Sequence, residues 1–545
     1  MSCDMKHAVD ATGPGGESHI LDRHNVLSRS LIWKLQCAYF TERGVEAWRQ
    51  GEVPHYVTSN PTIANCYAEI VLAFWRDRQR LAPPQDRADQ PLTICELGGG
   101  SGRFAFYFLQ RLALLCDRAG VRPDCFRYVL TDIAESNLDF WRRHPRLQPF
   151  FAAKQLDIAQ FDLTQPAELA LRVGGDRIGL HGLRQPLVTI ANYVFDGVPQ
   201  DLFRIVDQRC NQCLVSLVLD RNPDGLGATE LLAGLAVRYR DQPIDEPPYP
   251  EPWLQRLLHD YQRQLRDTHL LFPAAGLRCL HHMAQLSEHG LLLLSADKGE
   301  HRLEALEGRS PPNPVRHGSV SLPINYHAFT SFCQHEGGLA LVPTSRHRSI
   351  NVIGLLMVAD AAGHLETRNA YQRHVEEFGP DDFFTIMRQA RQSLPQMSAQ
   401  EILAFLRLSH HDSHQFGRHL PRLQQLAADF DDAMRHDVIA AAETVWAHYF
   451  PLGEEFDLAN QIATLFYAMD DYPRALIYFQ RSTEIYGEDT GTLYNMAACL
   501  HLLGENEEAA GLLQRVLELE PGNAEAASLL AQLDAVASSV ARRNP

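Results

Sequence analysis

Short apolar runs alternate with amphipathic stretches along the first two thirds of the chain. Residues 92–95, 126–131, 150–156 and 187–191 read as buried strands. Among them, residues 104–118 and 136–143 place apolar side chains at helical spacing. That rhythm predicts βαβ units and a mostly parallel sheet covered on both faces. Residues 290–295, 339–342 and 350–358 are expected to finish the sheet, with a helix at 326–335. Upstream, residues 31–51 read as one amphipathic helix and 63–78 as a second, followed by a Pro- and Asp-rich connection at 81–90. Residues 213–219 alternate as a further strand. Periodicity weakens after Asp220, leaving a helix at 253–266.

From Asp381 the pattern is helical to the end, and a 34-residue period appears. Ala463 and Ala497 hold one frame and Ala475 and Ala509 another, with Tyr472, Phe479, Gly504, Leu513 and Pro521 at helix-pair spacing. Ala531 continues the series, and Ala441 stands one period upstream. This resembles the tetratricopeptide repeat, in which small residues let paired helices approach closely. The resemblance implies a concave helical surface that binds a protein.

The strand at 92–95 runs into Glu96-Leu97-Gly98-Gly99-Gly100-Ser101-Gly102 and then a helix. Glycines let such a turn approach a ligand, and the helix behind presents unpaired N–H groups, so the pattern suits a nucleotide-like molecule. On parallel sheets, ligands sit beyond the carboxyl ends of the strands. Glu96, Asp132, Asp157 and Asn192 follow the first four strands in order. The acid after the second strand suits a ribose. NAD, ATP and S-adenosylmethionine all remain possible on this reading, although no G-x-x-x-x-G-K-[ST] phosphate loop occurs near the turn.

Gly98, Gly100 and Gly102 behind Glu96 are similar to the first motif of class I methyltransferases. The residues Tyr56-Val57-Thr58-Ser59-Asn60-Pro61, Tyr128-Val129-Leu130-Thr131-Asp132 and Ala191-Asn192-Tyr193-Val194-Phe195-Asp196-Gly197-Val198-Pro199 resemble segments of the MidA-like methyltransferases over residues 30–370. The resemblance implies a Rossmann-like, mostly parallel class I methyltransferase sheet, followed here by an all-α tetratricopeptide-repeat-like module. It implies S-adenosylmethionine as cofactor and protein N-methylation as one activity; a small or carrier-bound acceptor is equally open. Glu96, Gly98, Gly100, Gly102, Asp132, Asp157, Ile158 and Asn192 would hold the cofactor, with Asp162 competing with Asp157 for the adenine amine. Asn192 and Asp196 would align the acceptor or take its proton. Tyr56, Thr58, Tyr193 and His327 are the acceptor-side candidates. Tyr193 stands where the family pattern has Glu, which removes the acidic partner a guanidinium would use.

The expected boundaries are a polar tail at 1–30, the methyltransferase domain with a substrate-side insertion at 31–375, a helical connector at 376–455, repeats at 456–535 and a tail at 536–545. A net charge of −17 disfavours broad nucleic-acid binding. No apolar run long enough to span a membrane lacks charges, and residues 1–18 carry no signal-like apolar region. A cytoplasmic enzyme is therefore expected. Cys210-x-x-Cys213 lacks a second ligand pair, and the cluster His410, His411, His414 and His419 is interrupted by loop-forming residues, so no metal is expected. The alternatives are a binding or assembly protein that keeps the methyltransferase fold without catalysis and, more distantly, a nucleotide-dependent oxidoreductase.

Overall fold

The computed structural model describes residues 18–82, 90–454 and 456–541, with side chains through 535. Residues 1–17 of the expected tail, most of the 81–90 connection and the last four residues lie outside these. The strands of the two larger sheets are β1 (His19–Val26), β2 (Leu92–Leu97), β3 (Phe126–Asp132), β4 (Leu156–Gln160), β5 (Leu187–Asn192), β6 (Asp201–Val206), β7 (Arg209–Leu219), β8 (Ala236–Pro243), β9 (Asp267–Phe272), β10 (Leu291–Asp297), β11 (Leu339–Leu341) and β12 (Asn351–Met357).

The central sheet has the order β11-β12-β10-β5-β2-β3-β4. Its strands are parallel except β12, which runs against both β10 and β11. This is the Rossmann-like, mostly parallel sheet expected from the sequence. Every residue of β2 and β10 is buried, as strands covered on both faces must be. Ile94 packs with helices α1 (Pro61–Leu81) and α2 (Arg103–Ala119) on one face; its neighbour Cys95 packs with helices Ala274–Gln285 and Tyr326–His335 on the other. The chain leaves β2 toward β3 and β4, then returns to β5 on the opposite side. That reversal opens a crevice at the carboxyl ends of β2 and β5.

Gly290 sets the start of β10. Its φ is +81°, and a Cβ there would fall 1.9 Å from the Met357 carbonyl oxygen. Backbone on the neighbouring strand cannot swing aside. Gly290→Ala is expected to destabilise the fold by about 3–5 kcal/mol. A shift of under 1 kcal/mol (roughly the spread among ordinary substitutions) in the denaturant midpoint would contradict this account.

The second sheet, β1-β7-β6-β9 with β8 also on β7, is antiparallel. It corrects two expectations. Residues 19–26, assigned to a polar tail, form its edge strand, because β1 pairs with the apolar residues 214–219 of β7. The long helix expected at 31–51 stops at Arg43, where Gly44 turns the chain, and only Glu46–Arg49 is helical beyond. Ile32, Trp33 and Tyr39 of the helix Leu31–Arg43 pack on Cys213, Val215 and Leu217 of β7, so this helix belongs to the second sheet and overhangs the crevice.

A third correction concerns residues 150–156. Gln148–Ala152 is a helical turn with Pro149 in its first positions, and the strand begins only at Leu156. Phe150 and Phe151 still reach the core, and a short apolar run serves a turn as well as a strand.

Beyond Pro380 the described chain is helical. The helix pairs Leu458–Ala468 with Tyr472–Tyr486 and Thr490–Leu503 with Asn506–Leu519 are followed by Ala524–Ala541, which runs past the expected end of the repeats. Ala463, Ala475, Ala497 and Ala509 are all fully buried at helix contacts. Ala531 is exposed and Ala526 takes the buried place instead. His410 and His411 form the turn before helix Ser413–Leu426, which Asp412 caps. No helix among the described residues is long and apolar enough to cross a membrane.

Candidate functional site

A cavity of about 500 Å³ occupies the crevice. Its first wall is the turn after β2. Gly98 and Gly100 have φ of +63° and +52°, and side chains there would collide with Val194 and Trp48 at 2.6 and 2.8 Å. The turn is tied to β3: Gly99 N–H donates to the Thr131 carbonyl (2.8 Å) and Gly100 N–H to Asp132 Oδ2 (2.9 Å). Asp132 Oδ1 accepts from Ala134 N–H at 2.9 Å. Both carboxylate oxygens are thereby fixed in place at the cavity wall. Burial raises the Asp132 pKa while these N–H groups pull it back.

Glu96 is 5% exposed and accepts from the Tyr128 hydroxyl at 2.6 Å. Burial pushes its pKa up to about 8, and the neighbouring Asp132 adds to the rise. No basic side chain offsets it, so the carboxyl is poised to lose its proton when a cationic group arrives.

At the end of β5, Asn192 Oδ1 accepts from the Tyr67 hydroxyl (2.9 Å) and Ala296 N–H (3.1 Å). Because Ala296 N–H can only donate, the amide orientation is settled and Nδ2 is the free end. That Nδ2 is buried with no partner on the protein. Tyr193 follows at φ +50°, a strained conformation for a tyrosine, and its buried hydroxyl also lacks a partner. Orphaned buried donors at a cavity wall are what a polar ligand would satisfy.

Asp196 lies at the far end, on the short turn Phe195–Gly197, with Asp297 of β10 behind it. Asp297 is 1% exposed; Oδ1 accepts from Lys298 N–H (2.6 Å), and Oδ2 has no partner. Burial raises both carboxyls well above the ordinary range, and their mutual repulsion raises Asp297 further. The Lys298 ammonium and the Ser321 hydroxyl draw Asp196 back toward ionisation. Burial thus favours the protonated form of each carboxyl more than in an exposed one.

Of the residues singled out in the sequence, Glu96, Gly98, Gly100, Asp132, Asn192, Thr58, Tyr193 and Asp196 line this cavity. Gly102 stands just behind it as the first cap of α2. Four others lie elsewhere. Asp157 is the second residue of β4, three positions before the strand's carboxyl end, and its carboxylate accepts from the N–H groups of Ile158, Val173 and Gly174 at 2.8–2.9 Å. Its partner Ile158 is sealed in the core. Asp162, beyond the strand end, lines the cavity instead. Tyr56 turns toward the helical connector, donating to Asp412 (3.1 Å) and accepting from the Gln415 amide (2.6 Å). His327 shares a hydrogen bond with Tyr261 at 2.8 Å, away from the cavity.

Sequence reasoning missed Asp297 and Lys298, although the rule that picked the acids after β2 and β3 applies equally to β10. It also missed Trp33, Phe40 and Trp48, which close the cavity from the helix Leu31–Arg43 and the turn after it. Nothing in the sequence tells which strand ends that helix will overhang. Among the described residues, Cys213, Asp241 and His269 on the second sheet bring potential metal-ligating atoms within 4.8 Å of one another, and none of the three lines the cavity.

The connector packs against elements that carry the site. Arg103, the first residue of α2, donates to the Phe450 carbonyl (3.0 Å) and pairs with Glu454. Arg146 donates to the Trp446 carbonyl (2.7 Å), and Arg49 to that of Leu452 (2.5 Å). The segment leading into the repeats is thus keyed to the helix that follows the glycine turn.

Residues 466–533 match the family model of the tetratricopeptide repeat. No curated protein matches the chain. Two solved structures from Burkholderia thailandensis show similarity. One is an uncharacterised superfamily protein, 13% identical, aligned over 62% of this chain and 89% of its own with a TM-score of 0.38. The other, a member of the same superfamily described as a "likely methyl transferase" and bound to S-adenosyl-homocysteine, is 16% identical over 66% and 85%, with a TM-score of 0.39.

Proposed function

We propose that this protein is an S-adenosylmethionine-dependent methyltransferase whose repeats hold a protein partner beside the active crevice. One observation carries the reading: a single cavity gathers a side-chain-free turn, a buried Glu96 awaiting a cation, the fixed carboxylate of Asp132 and the orphaned amide of Asn192. These groups fit the molecule in turn. Gly98 and Gly100 admit its methionine portion, Glu96 receives the α-ammonium group, Asp132 the ribose hydroxyls, and Asp162 the adenine end. S-adenosylmethionine supplies a methyl group already activated by a positively charged sulfur.

Catalysis by this chain then rests on alignment. Asn192 Nδ2 and the Tyr193 hydroxyl, both without partners on the protein, orient the bound groups, and the aromatic side chains of Trp33, Phe40 and Trp48 exclude water. Where the acceptor atom carries a proton, Asp196 takes it, its basicity set by burial beside Asp297. The acceptor is a protein side chain, methylated on nitrogen, or a small or carrier-bound molecule. Incubating the chain and its Asp196→Asn variant with methyl-labelled S-adenosylmethionine and size-separated cell extract tests the reading. Label entering one fraction with the wild type alone supports it. Tight cofactor binding with no transfer to any fraction would favour the assembly-protein reading.

The state of Glu96 has its own consequence. With a free-protein pKa of about 8, Glu96 is mostly protonated at pH 7 and must ionise to meet an ammonium group. Binding of S-adenosyl-homocysteine at pH 7 is therefore expected to release close to one proton, and affinity should rise with pH until about 8 and then level. Calorimetry in two buffers of different ionisation enthalpy reads this directly. Zero proton release would show that Glu96 is already charged or not in contact.

A further inference from the structure

Resting on that reading, the acceptor half of the cavity says what kind of molecule enters it. Beyond Asn192, its wall carries Arg29, Lys34, Lys298 and His317. Lys34 and Lys298 are exposed to the cavity and make no ion pair among the described residues. Asp196 is the acidic side chain on this stretch; burial raises its pKa to about 7, while the neighbouring Lys298 favours its ionised form. The Ser319 and Ser321 hydroxyls stand 3.4 Å from the two ring nitrogens of His317, adding donors without charge. Arg29, Lys34 and Lys298 outnumber the one carboxyl lining this stretch, Asp196, and burial keeps His317 toward its neutral form; the positive balance repels a guanidinium or ammonium acceptor and attracts an anion. Trp33 and Phe40, on the helix that also carries Lys34, and Trp48 stacked on Phe40 add aromatic surface to the same cavity, which suits a flat apolar body.

We propose that the methyl acceptor carries an anionic group, a carboxylate or a phosphate, held by Lys298 and Lys34 beside the atom that receives the methyl. Such an acceptor places its nucleophilic hydroxyl or amine against Asp196 while its charge neutralises the two ammonium groups.

The test uses three probes of matched shape: benzoate, phenyl phosphate and benzamide. Each is titrated by ligand-observed NMR against the full chain, with and without saturating S-adenosyl-homocysteine. Both anions are expected to bind at least about tenfold more tightly than benzamide and to compete with each other. Tighter binding of phenyl phosphate than of benzoate identifies a phosphate-bearing acceptor, and the reverse order a carboxylate. The doubly substituted Lys34→Met, Lys298→Met chain should lose that preference while binding S-adenosyl-homocysteine as before. Equal affinity for benzamide, no anion binding, or a preference unchanged in the variant would each overturn the proposal. Failure of S-adenosyl-homocysteine itself to bind would instead strike the cofactor reading, since the anion titrations are also run without it.

Discussion

Replacing Asp132 with alanine is expected to weaken S-adenosylmethionine binding by at least about 100-fold, from the loss of charge-assisted hydrogen bonds to the ribose. The effect has two sources, which can be told apart. The carboxylate would hold two ligand hydroxyls, and it also holds the N–H groups of Gly100 and Ala134. Removing it orphans both N–H groups, costing about 1–3 kcal/mol each in stability unless water reaches them. Asp132→Asn keeps one acceptor for the backbone but loses the charge. If the site is as described, the asparagine variant recovers most of the melting temperature and little of the affinity. Affinity within threefold of wild type in Asp132→Ala, measured with intact folded protein, would remove Asp132 from the cofactor site.

Asp196→Asn is expected to lower methyl transfer by about 10²–10⁴-fold while leaving cofactor affinity within a factor of about two. The amide matches the carboxyl in shape and cannot take a proton. Stability should move the other way. A carboxyl whose folded pKa lies above its unfolded value keeps its proton in the fold and loses it on unfolding. Stability therefore falls as pH climbs from the ordinary carboxylate range through the raised folded value. The asparagine variant escapes that penalty and relieves the repulsion on Asp297. A slower enzyme that is more stable at pH 7–8 marks a group selected for proton transfer. A variant that is both slower and less stable would mark Asp196 as a structural cap for its turn.

Much of this site was legible because fully buried parallel strands write themselves as continuous apolar runs with a polar residue where the run stops. Glu96, Asp132 and Asn192 were found by that rule, and all three line the cavity. Asp157 shows its limit. The apolar run 150–156 belongs to a helical turn, so the strand end moved to Gln160 and the neighbouring acid at the cavity is Asp162. The repeats were legible because close helix packing demands small residues at a fixed period, and Ala463, Ala475, Ala497 and Ala509 are buried where that demands. The antiparallel sheet was hidden for the opposite reason: β8 exposes most of its polar residues and carries little apolar alternation. Tyr56 and His327 were misplaced because their partners, Asp412 and Tyr261, are distant in sequence. Only the packing of whole elements brings those partners together.

The most direct test of the central claim is calorimetric titration of the full chain with S-adenosyl-homocysteine and, in a separate cell, NAD. The account expects one S-adenosyl-homocysteine bound per chain with micromolar affinity and proton release, and no heat from NAD. No binding of S-adenosyl-homocysteine by folded protein, or tighter binding of NAD, would contradict it.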